Sequence, residues 1–388
     1  MQTKVKIIFI SQVAGEIVFE LSEKISQEIA ETIFITGSNY KKKSKKLTLI
    51  DAPKYNNKTY FSRFYTWVFF FIFVLYKLLQ IKGKPILIIS SNPPFLPLVG
   101  FLFNKLFNWP YILRVLDVYP DAINQKRLIS KKNIIYKTWA LLNKVVYKNA
   151  EHVISLGHVM ANRLNKYMYD ENNVLVIPDW VNTVKFKPFF RDENWFYEKH
   201  FNKGDLNVMY AGNLGVTHDV KTLFDGIESL KHLKGIMFTI VGGGAHSTTA
   251  KEKAKIFPNL NYLPYQSEES LPYVLSSADV SIICMGKESQ GISMPSKLYF
   301  SMASGNAILS ISSINNDLAD IVKKSNCGVN VMNEDIEGFK NAILKFYNNK
   351  DFLKASQENS REISLNFYSS DIIIPQYLSI LNDVILSK

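Results

Sequence analysis

Apolar runs of about five residues recur along the chain, separated by longer stretches with helical spacing. The run at 5–10 (VKIIFI) has the length and β-branched content of a buried strand. A loop at 11–15 (SQVAG) follows, then helical spacing over about 16–30 and a second apolar run at 32–36. The cycle resumes at 85–90 (PILIIS), which ends in Ser91-Asn92-Pro93-Pro94, a sequence that cannot continue as helix. Helices are expected at 95–107, 133–148 and 159–167, and strands at 111–116, 153–156 and 174–178. A second series starts at 206, with strands expected at 207–210, 237–241, 260–263, 280–284, 307–311 and 328–332. Its helices are expected at about 220–230, 269–277 and 335–348, with a last amphipathic segment at 371–386. Strand and helix in alternation predict an α/β fold of doubly wound parallel sheets.

Two such series imply two domains, which also suits 388 residues, a length at which single cores usually divide. The expected division is an N-terminal domain at 1–185, a linker at 186–203 where periodicity is lost, a C-terminal domain at 204–365 and a closing helix at 366–388 that packs back on the first domain. Ligands of such domains collect at the carboxyl ends of the strands. In the second series those ends carry Ala211-Gly212-Asn213-Leu214-Gly215 and Gly242-Gly243-Gly244, loops whose backbone can approach a ligand closely. The first series offers only Gly15 in its first loop and lacks GxGxxG, which argues against a nicotinamide dinucleotide site.

The stretch 286–305 (GKESQGISMPSKLYFSMASG) has more chemistry in it. A polar, glycine-bearing loop turns at Met294-Pro295-Ser296 into an apolar helix with Lys297 in its first turn. Unpaired N–H groups at a helix start, with a lysine beside them, suit an anionic ligand. Near the strand ends of the first series, Asn92, Asp117 and Asp121 are candidate site residues; the two aspartates equally suit a turn and a helix cap.

Charge adds an asymmetry. Residues 1–185 hold 26 Lys and Arg against 12 Asp and Glu, while 186–388 hold 20 against 22, so the net charge of +12 comes entirely from the first half. A basic half suits nucleic acid, anionic lipid or an anionic substrate. The segment 64–76 (FYTWVFFFIFVLY) is thirteen uncharged residues between Arg63 and Lys77, shorter than the roughly 20 that cross a bilayer. It reads as a core helix or as an interfacial helix, with the cluster Lys41, Lys42, Lys43, Lys45 and Lys46 as an added attraction to anionic lipid. No secretory signal is visible at the start. Two cysteines, Cys284 and Cys327, make no disulfide framework and suit a reducing compartment.

Five pieces in order, MYAGNLG at 209–215, TIVGGG at 239–244, NLNYLPY at 259–265, ADVSII at 278–283 and MPSKLYFSMASGNAIL at 294–309, resemble the nucleotide-sugar domain of the retaining glycosyltransferase family 4. With DVYPD at 117–121 and VIPDWVNTVKFKP at 176–188, the chain is similar to bacterial enzymes of capsule, O-antigen and colanic-acid assembly, most of all to fucosamine (2-acetamido-sugar) transferases. The resemblance covers nearly the whole chain. It implies the GT-B fold, two Rossmann-like domains facing across a cleft. It also implies sugar transfer from a nucleoside diphosphate donor, with a UDP-sugar favoured, with retention at the anomeric carbon and with neither metal nor other cofactor. On this reading Lys297 stabilises the leaving diphosphate and Asp117 assists catalysis. Gly15, Gly212, Asn213, Gly243, Gly244, Tyr265, Ser296 and Leu298 line the donor, and Asp121 and Asn92 the acceptor. The implied acceptor is a polyprenyl-diphosphate-linked sugar or a glycan, reached by a cytoplasmic protein resting on the inner face of the bacterial plasma membrane, with no nucleic acid partner.

Three departures from the family pattern stand out. Asn213 replaces a usual Arg or Lys, and His218 and Asp219 occupy the region of a usual lysine. Ile292 and Phe300 stand where a pair of glutamates is usual, with Glu288 out of register. The alternatives these raise are a sugar-nucleotide epimerase of the same fold, or a membrane-peripheral protein that binds a nucleotide sugar without turnover.

Overall fold

The computed structural model describes residues 5–40, 44–56, 58–125, 128–168, 174–201 and 206–387. By internal contacts the chain divides into two units. The first comprises Met1–Pro178, Gly291–Ser293 and Ile373–Lys388, and the second Asp179–Gln290 and Met294–Ile372.

The first unit is a seven-stranded parallel sheet. Its elements are β1 (Lys6–Ile10), α1 (Glu16–Glu28), β2 (Glu31–Thr36), β3 (Leu47–Asp51), α2 (Tyr60–Leu79), β4 (Ile86–Ser90), α3 (Pro97–Phe107), β5 (Tyr111–Arg114), α4 (Asp121–Gln125), α5 (Ile134–Lys148), β6 (His152–Ser155), α6 (His158–Leu164) and β7 (Val174–Val176). The strand order is β3-β2-β1-β4-β5-β6-β7. Every residue of β4 and β5 is buried, as expected where helices cover both faces of a parallel sheet.

The second unit repeats the scheme with six strands. It contains α7 (Trp195–His200), β8 (Leu206–Asn213), α8 (Val220–Ser229), β9 (Ile236–Gly243), α9 (Ser247–Ile256), β10 (Leu260–Leu263), α10 (Leu271–Ser276), β11 (Val280–Cys284), α11 (Lys297–Ala303), β12 (Ala307–Ile311), α12 (Asp317–Lys324), β13 (Gly328–Val331), α13 (Ile336–Asn348) and α14 (Lys350–Phe367). The order is β10-β9-β8-β11-β12-β13. The last helix, α15 (Ser370–Leu386), starts in the second unit, and from Ile373 onward it belongs to the first. There Tyr377 takes a hydrogen bond from Arg114 Nε at 3.1 Å.

The alternating pattern is realised in both units, with additions. Strand β3 and helices α9, α12 and α14 fall where no element was expected. Helix α9 is lysine-rich and buries only Ala250, and α14 turns mostly serines inward (Ser356, Ser360, Ser364), so neither shows a clear apolar stripe. Residues 186–201 fold onto the second unit instead of running free. Asn194 caps α7 and also donates to the Tyr273 carbonyl and to Ser277, while Phe196 and Tyr197 are buried. Arg361 holds the same region through the carbonyls of Thr183, Phe186 and Ala303.

The segment expected at 64–76 is a 20-residue helix, α2, started by a capping box at Thr59 and Ser62. Its residues Phe61–Leu79 are long and apolar enough to cross a membrane by length and composition, so the length argument against spanning falls. The helix is neither fully core nor fully free. Phe70, Val74 and Leu78, one stripe at i, i+4 spacing, are buried, and Gln12 Nε2 holds the Thr66 carbonyl at 2.9 Å. Phe61, Tyr65, Phe69, Ile72, Tyr76 and Leu79 lie exposed. Lys41, Lys42 and Lys43 lie outside the described residues; Lys46 Nζ reaches the Gln27 carbonyl.

Candidate active site

In each sheet the order reverses between the first strand of the unit and the strand that follows it across the sheet. This switch point is where open α/β sheets hold ligands. In the second unit it lies between β8 and β11. Strands β8 and β9 stay paired to their tips, with Gly212 opposite Gly242 and Asn213 opposite Gly243. That closeness needs glycine: a Cβ on Gly242 would lie 2.1 Å from the Gly212 carbonyl oxygen, and one on Gly244 would lie 2.2 Å from Asn213 Oδ1. The Tyr265 ring lies against Gly243 and is 61% exposed, an open aromatic face over a glycine loop.

From the other side of the switch point, β11 runs into the loop that leads to α11. Gly286 N–H donates to the Thr217 carbonyl at 2.8 Å, which ties this loop to the one after β8. Lys297, the first residue of α11, points its Nζ at Tyr210 of β8, 2.9 Å from the hydroxyl and 4.0 Å from the ring centroid. The Tyr210 hydroxyl lies 2.7 Å from both the Asn213 carbonyl oxygen and His218 Nδ1. A lysine, a buried tyrosine and a histidine therefore converge at the glycine loops.

Their protonation follows from burial. The Lys297 residue keeps some solvent contact, but its amino group is enclosed by protein, and this lowers its pKa to about 8. Burial and the Lys297 charge together push His218 down to about 3, so it stays neutral at physiological pH. Burial raises the Tyr210 hydroxyl well above its usual range and Cys284 to about 12, so neither supplies an anion. Lys297 is thus a poorly solvated amine beside the neutral Tyr210 and His218, and an incoming anion would favour its charged form.

Other expected donor residues fare differently. Leu298 is fully buried and its N–H closes a turn onto the Pro295 carbonyl, while Tyr299 N–H bonds the Ser296 carbonyl. The helix start therefore has its Leu298 and Tyr299 amides engaged within its own first turn. Ser296 stands at the N-cap, with no side-chain cap bond. Gly15 is the N-cap residue of α1 in the first unit, with Glu16 in the first turn of that helix. Tyr210 escaped sequence reasoning because an apolar run hides a strand tyrosine; His218 was visible only as a departure from the family pattern.

The departures have structural reasons. Ile292 is buried with Tyr119, Ala122 and Trp139 in the first unit, where a carboxylate would be desolvated. Phe300 packs edge-on against Phe186 with centroids 4.8 Å apart. Asp219 caps α8 through Thr222 and holds Asn333.

In the first unit the switch point lies between β1 and β4. Ser90 Oγ donates to Ser11 Oγ at 3.0 Å across it. Ser91 Oγ accepts from the amides of Leu116 and Asp117 and donates to the Asp117 carbonyl, fixing the backbone of Asp117. Asn92, partly buried, precedes the cis-proline Pro93, and its carbonyl accepts from Ser90 Oγ. Asp121 does not present itself to a ligand. It is 4% exposed, and its carboxylate holds Arg163 at 3.3 Å and accepts from the Tyr167 hydroxyl. That engagement joins α4 to α6.

Residues 191–363, most of the second unit, match the family model described as Glycosyl transferases group 1. The chain is a glycosyltransferase. It is 22% identical over 281 residues to "Probable glycosyltransferase WbjE" of Pseudomonas aeruginosa, covering 72% of this chain and 70% of that one. It is 22% identical over 238 residues to "Putative colanic acid biosynthesis glycosyl transferase WcaI" of Escherichia coli K12, covering 59% of this chain and 58% of that one. The structure of Anabaena HepE in complex with UDP and glucose superposes with a TM-score of 0.73 at 11% identity, covering 98% of this chain and all of that one. Such likeness shows the fold, and the two parallel α/β units of this glycosyltransferase are those of the GT-B class.

Proposed function

We propose that the protein moves a sugar from a nucleoside diphosphate donor, with retention, onto a lipid-linked or glycan acceptor in bacterial surface polysaccharide assembly. The observation that carries the donor side is the Lys297 amino group, held at Tyr210 beside the Gly212 and Gly243 loops. The leaving group of such a transfer is a diphosphate, and its growing charge needs donors aimed at it. Lys297 supplies that charge, with no metal called upon. Gly212, Asn213 and Gly244 bring backbone close to the phosphates, and the exposed Tyr265 ring stacks on the base. UDP is the favoured base carrier and an N-acetylated amino sugar the favoured sugar; HepE, of the same fold, was solved with UDP and glucose. The colanic acid role in the name of WcaI supports a polysaccharide product. Asp117 binds an acceptor hydroxyl, and Asn92 lies on the same side of the sheet end. The protein rests on the inner face of the plasma membrane through α2.

The test is a screen of UDP- and GDP-sugars by thermal shift, followed by transfer assays with a lipid extract as acceptor. A UDP-sugar is expected to raise the melting temperature and to be consumed only when acceptor is present. Lys297→Met is expected to lower turnover by about 10²-fold or more. Turnover that survives this substitution removes Lys297 from the mechanism, and sugar inversion without acceptor makes the protein an epimerase.

A further inference from the structure

Helix α2 does more than expose an apolar stripe. Between it and α3 lies an open crevice of about 220 Å³, lined by Phe64, Trp67, Val68 and Phe71 of α2, by Phe95, and by Leu98 of α3. This is less than the roughly 300–1,000 Å³ of a pocket for a whole small molecule, so it suits a segment of chain. The lining is hydrocarbon and aromatic ring almost throughout; its one polar side-chain group, the indole N–H of Trp67, has no hydrogen-bond partner among the described residues.

One side of the crevice is polar. Trp67 stacks on Tyr55 with centroids 6.3 Å apart. Tyr55 in turn lies within electrostatic reach of Arg63 and Asp117, whose opposing charges act on its hydroxyl. Tyr119 feels the same three residues. Arg63 is one residue before Phe64 of the lining, and exposed Lys54 and Lys58 precede it in the chain. An apolar slot thus opens beside a cationic group, on the most basic half of the chain. That pairing is complementary to a hydrocarbon chain ending in phosphate. The flat faces of Phe64, Trp67, Phe71 and Phe95 suit planar alkene units better than a straight alkyl chain.

We propose that the crevice between α2 and α3 holds the first isoprene units of a polyprenyl-diphosphate-linked acceptor, with Arg63 facing its phosphates. This rests on the reading that the acceptor is lipid-linked, and it places the tail, the phosphates and Asp117 in sequence along one edge of the first unit. The exposed stripe of α2 meets the bilayer, and the crevice draws one chain out of it.

The experiment is calorimetric titration of the full chain, without any sugar donor, with farnesyl diphosphate, dodecyl diphosphate and inorganic diphosphate. Farnesyl diphosphate is expected to bind at least about tenfold more tightly than inorganic diphosphate, as burial of several carbons requires, and more tightly than dodecyl diphosphate. Val68→Trp, which fills the slot, is expected to erase that advantage while leaving inorganic diphosphate and the melting temperature unchanged; Leu98→Phe serves if the first variant melts early. Equal binding of farnesyl and inorganic diphosphate overturns the site, as does an undiminished advantage in the filled variants. Equal binding of the dodecyl compound overturns the isoprenoid assignment. Because no donor is present, a failed transfer assay leaves this result standing, and failed farnesyl binding leaves the donor site standing.

Discussion

Lys297 is the residue on which the proposed donor site turns, and its cost is visible. A lysine whose amino group is enclosed loses hydration that Tyr210 only partly replaces. Its pKa of about 8 in the fold lies below its ordinary value of 10.5, so between these pH values the unfolded chain binds the proton that the folded chain has released. Stability contributed through this group therefore rises with pH across that window, and the penalty is fully present below pH 8. Removing the amine relieves the penalty, so Lys297→Met is expected to raise the melting temperature while it removes turnover, the trade-off usual for strained site residues; a lower melting temperature contradicts it. A diphosphate favours the charged form, so donor binding takes up a proton above pH 8. Affinity measured by calorimetry is expected to be level below that pH and to weaken about tenfold per unit above it. A flat profile to pH 9.5 means that another cation holds the phosphates.

At the scale of elements, α2 divides by face. Its buried stripe runs through Phe70, Val74 and Leu78 for much of its length, so it lies on the first unit and cannot be ringed by lipid. Its other face presents aromatic and aliphatic side chains of the kind that settle at a membrane interface. Phe69→Glu with Ile72→Glu is expected to release the protein from anionic vesicles in a flotation assay and to leave its melting temperature within about 2 °C, since exposed substitutions cost little. Phe70→Glu, one residue away, is expected to unfold the unit by burying a carboxylate. If the first pair also unfolds the protein, the exposed stripe is covered by protein.

Over the whole molecule the charge is divided, with the first half at a net +14 and the second at −2. Attraction to anionic lipid would then belong to the first half and be screened by salt. Binding to phosphatidylglycerol vesicles is expected to weaken at least about tenfold between 0.05 and 0.5 M NaCl, with little change for zwitterionic vesicles. Salt-independent binding assigns the contact to the α2 stripe alone. The two-unit organisation was largely legible because each strand of a parallel sheet is a continuous apolar run; β11 has the expected bounds at Val280–Cys284. Residues 186–201 have the look of a linker in sequence, yet they are held by contacts distant in sequence, among them Arg361 and Asn194.

The sequence by itself determined the parallel α/β class, the two units, the glycine loops and the place of Lys297 at the start of a helix. These follow from local pattern: period, punctuation and spacing. Only the tertiary structure decided what each polar group is used for. It brought Tyr210 and His218 to Lys297 across 87 and 79 positions of chain, turned Asp121 inward to Arg163 and Tyr167, and closed the Leu298 amide onto Pro295. It also separated the faces of α2, whose residues are apolar all round and carry no local mark of which side the sheet will cover. Partners are set by packing between distant segments, and an apolar helix shows its buried side only once there is something to bury it against.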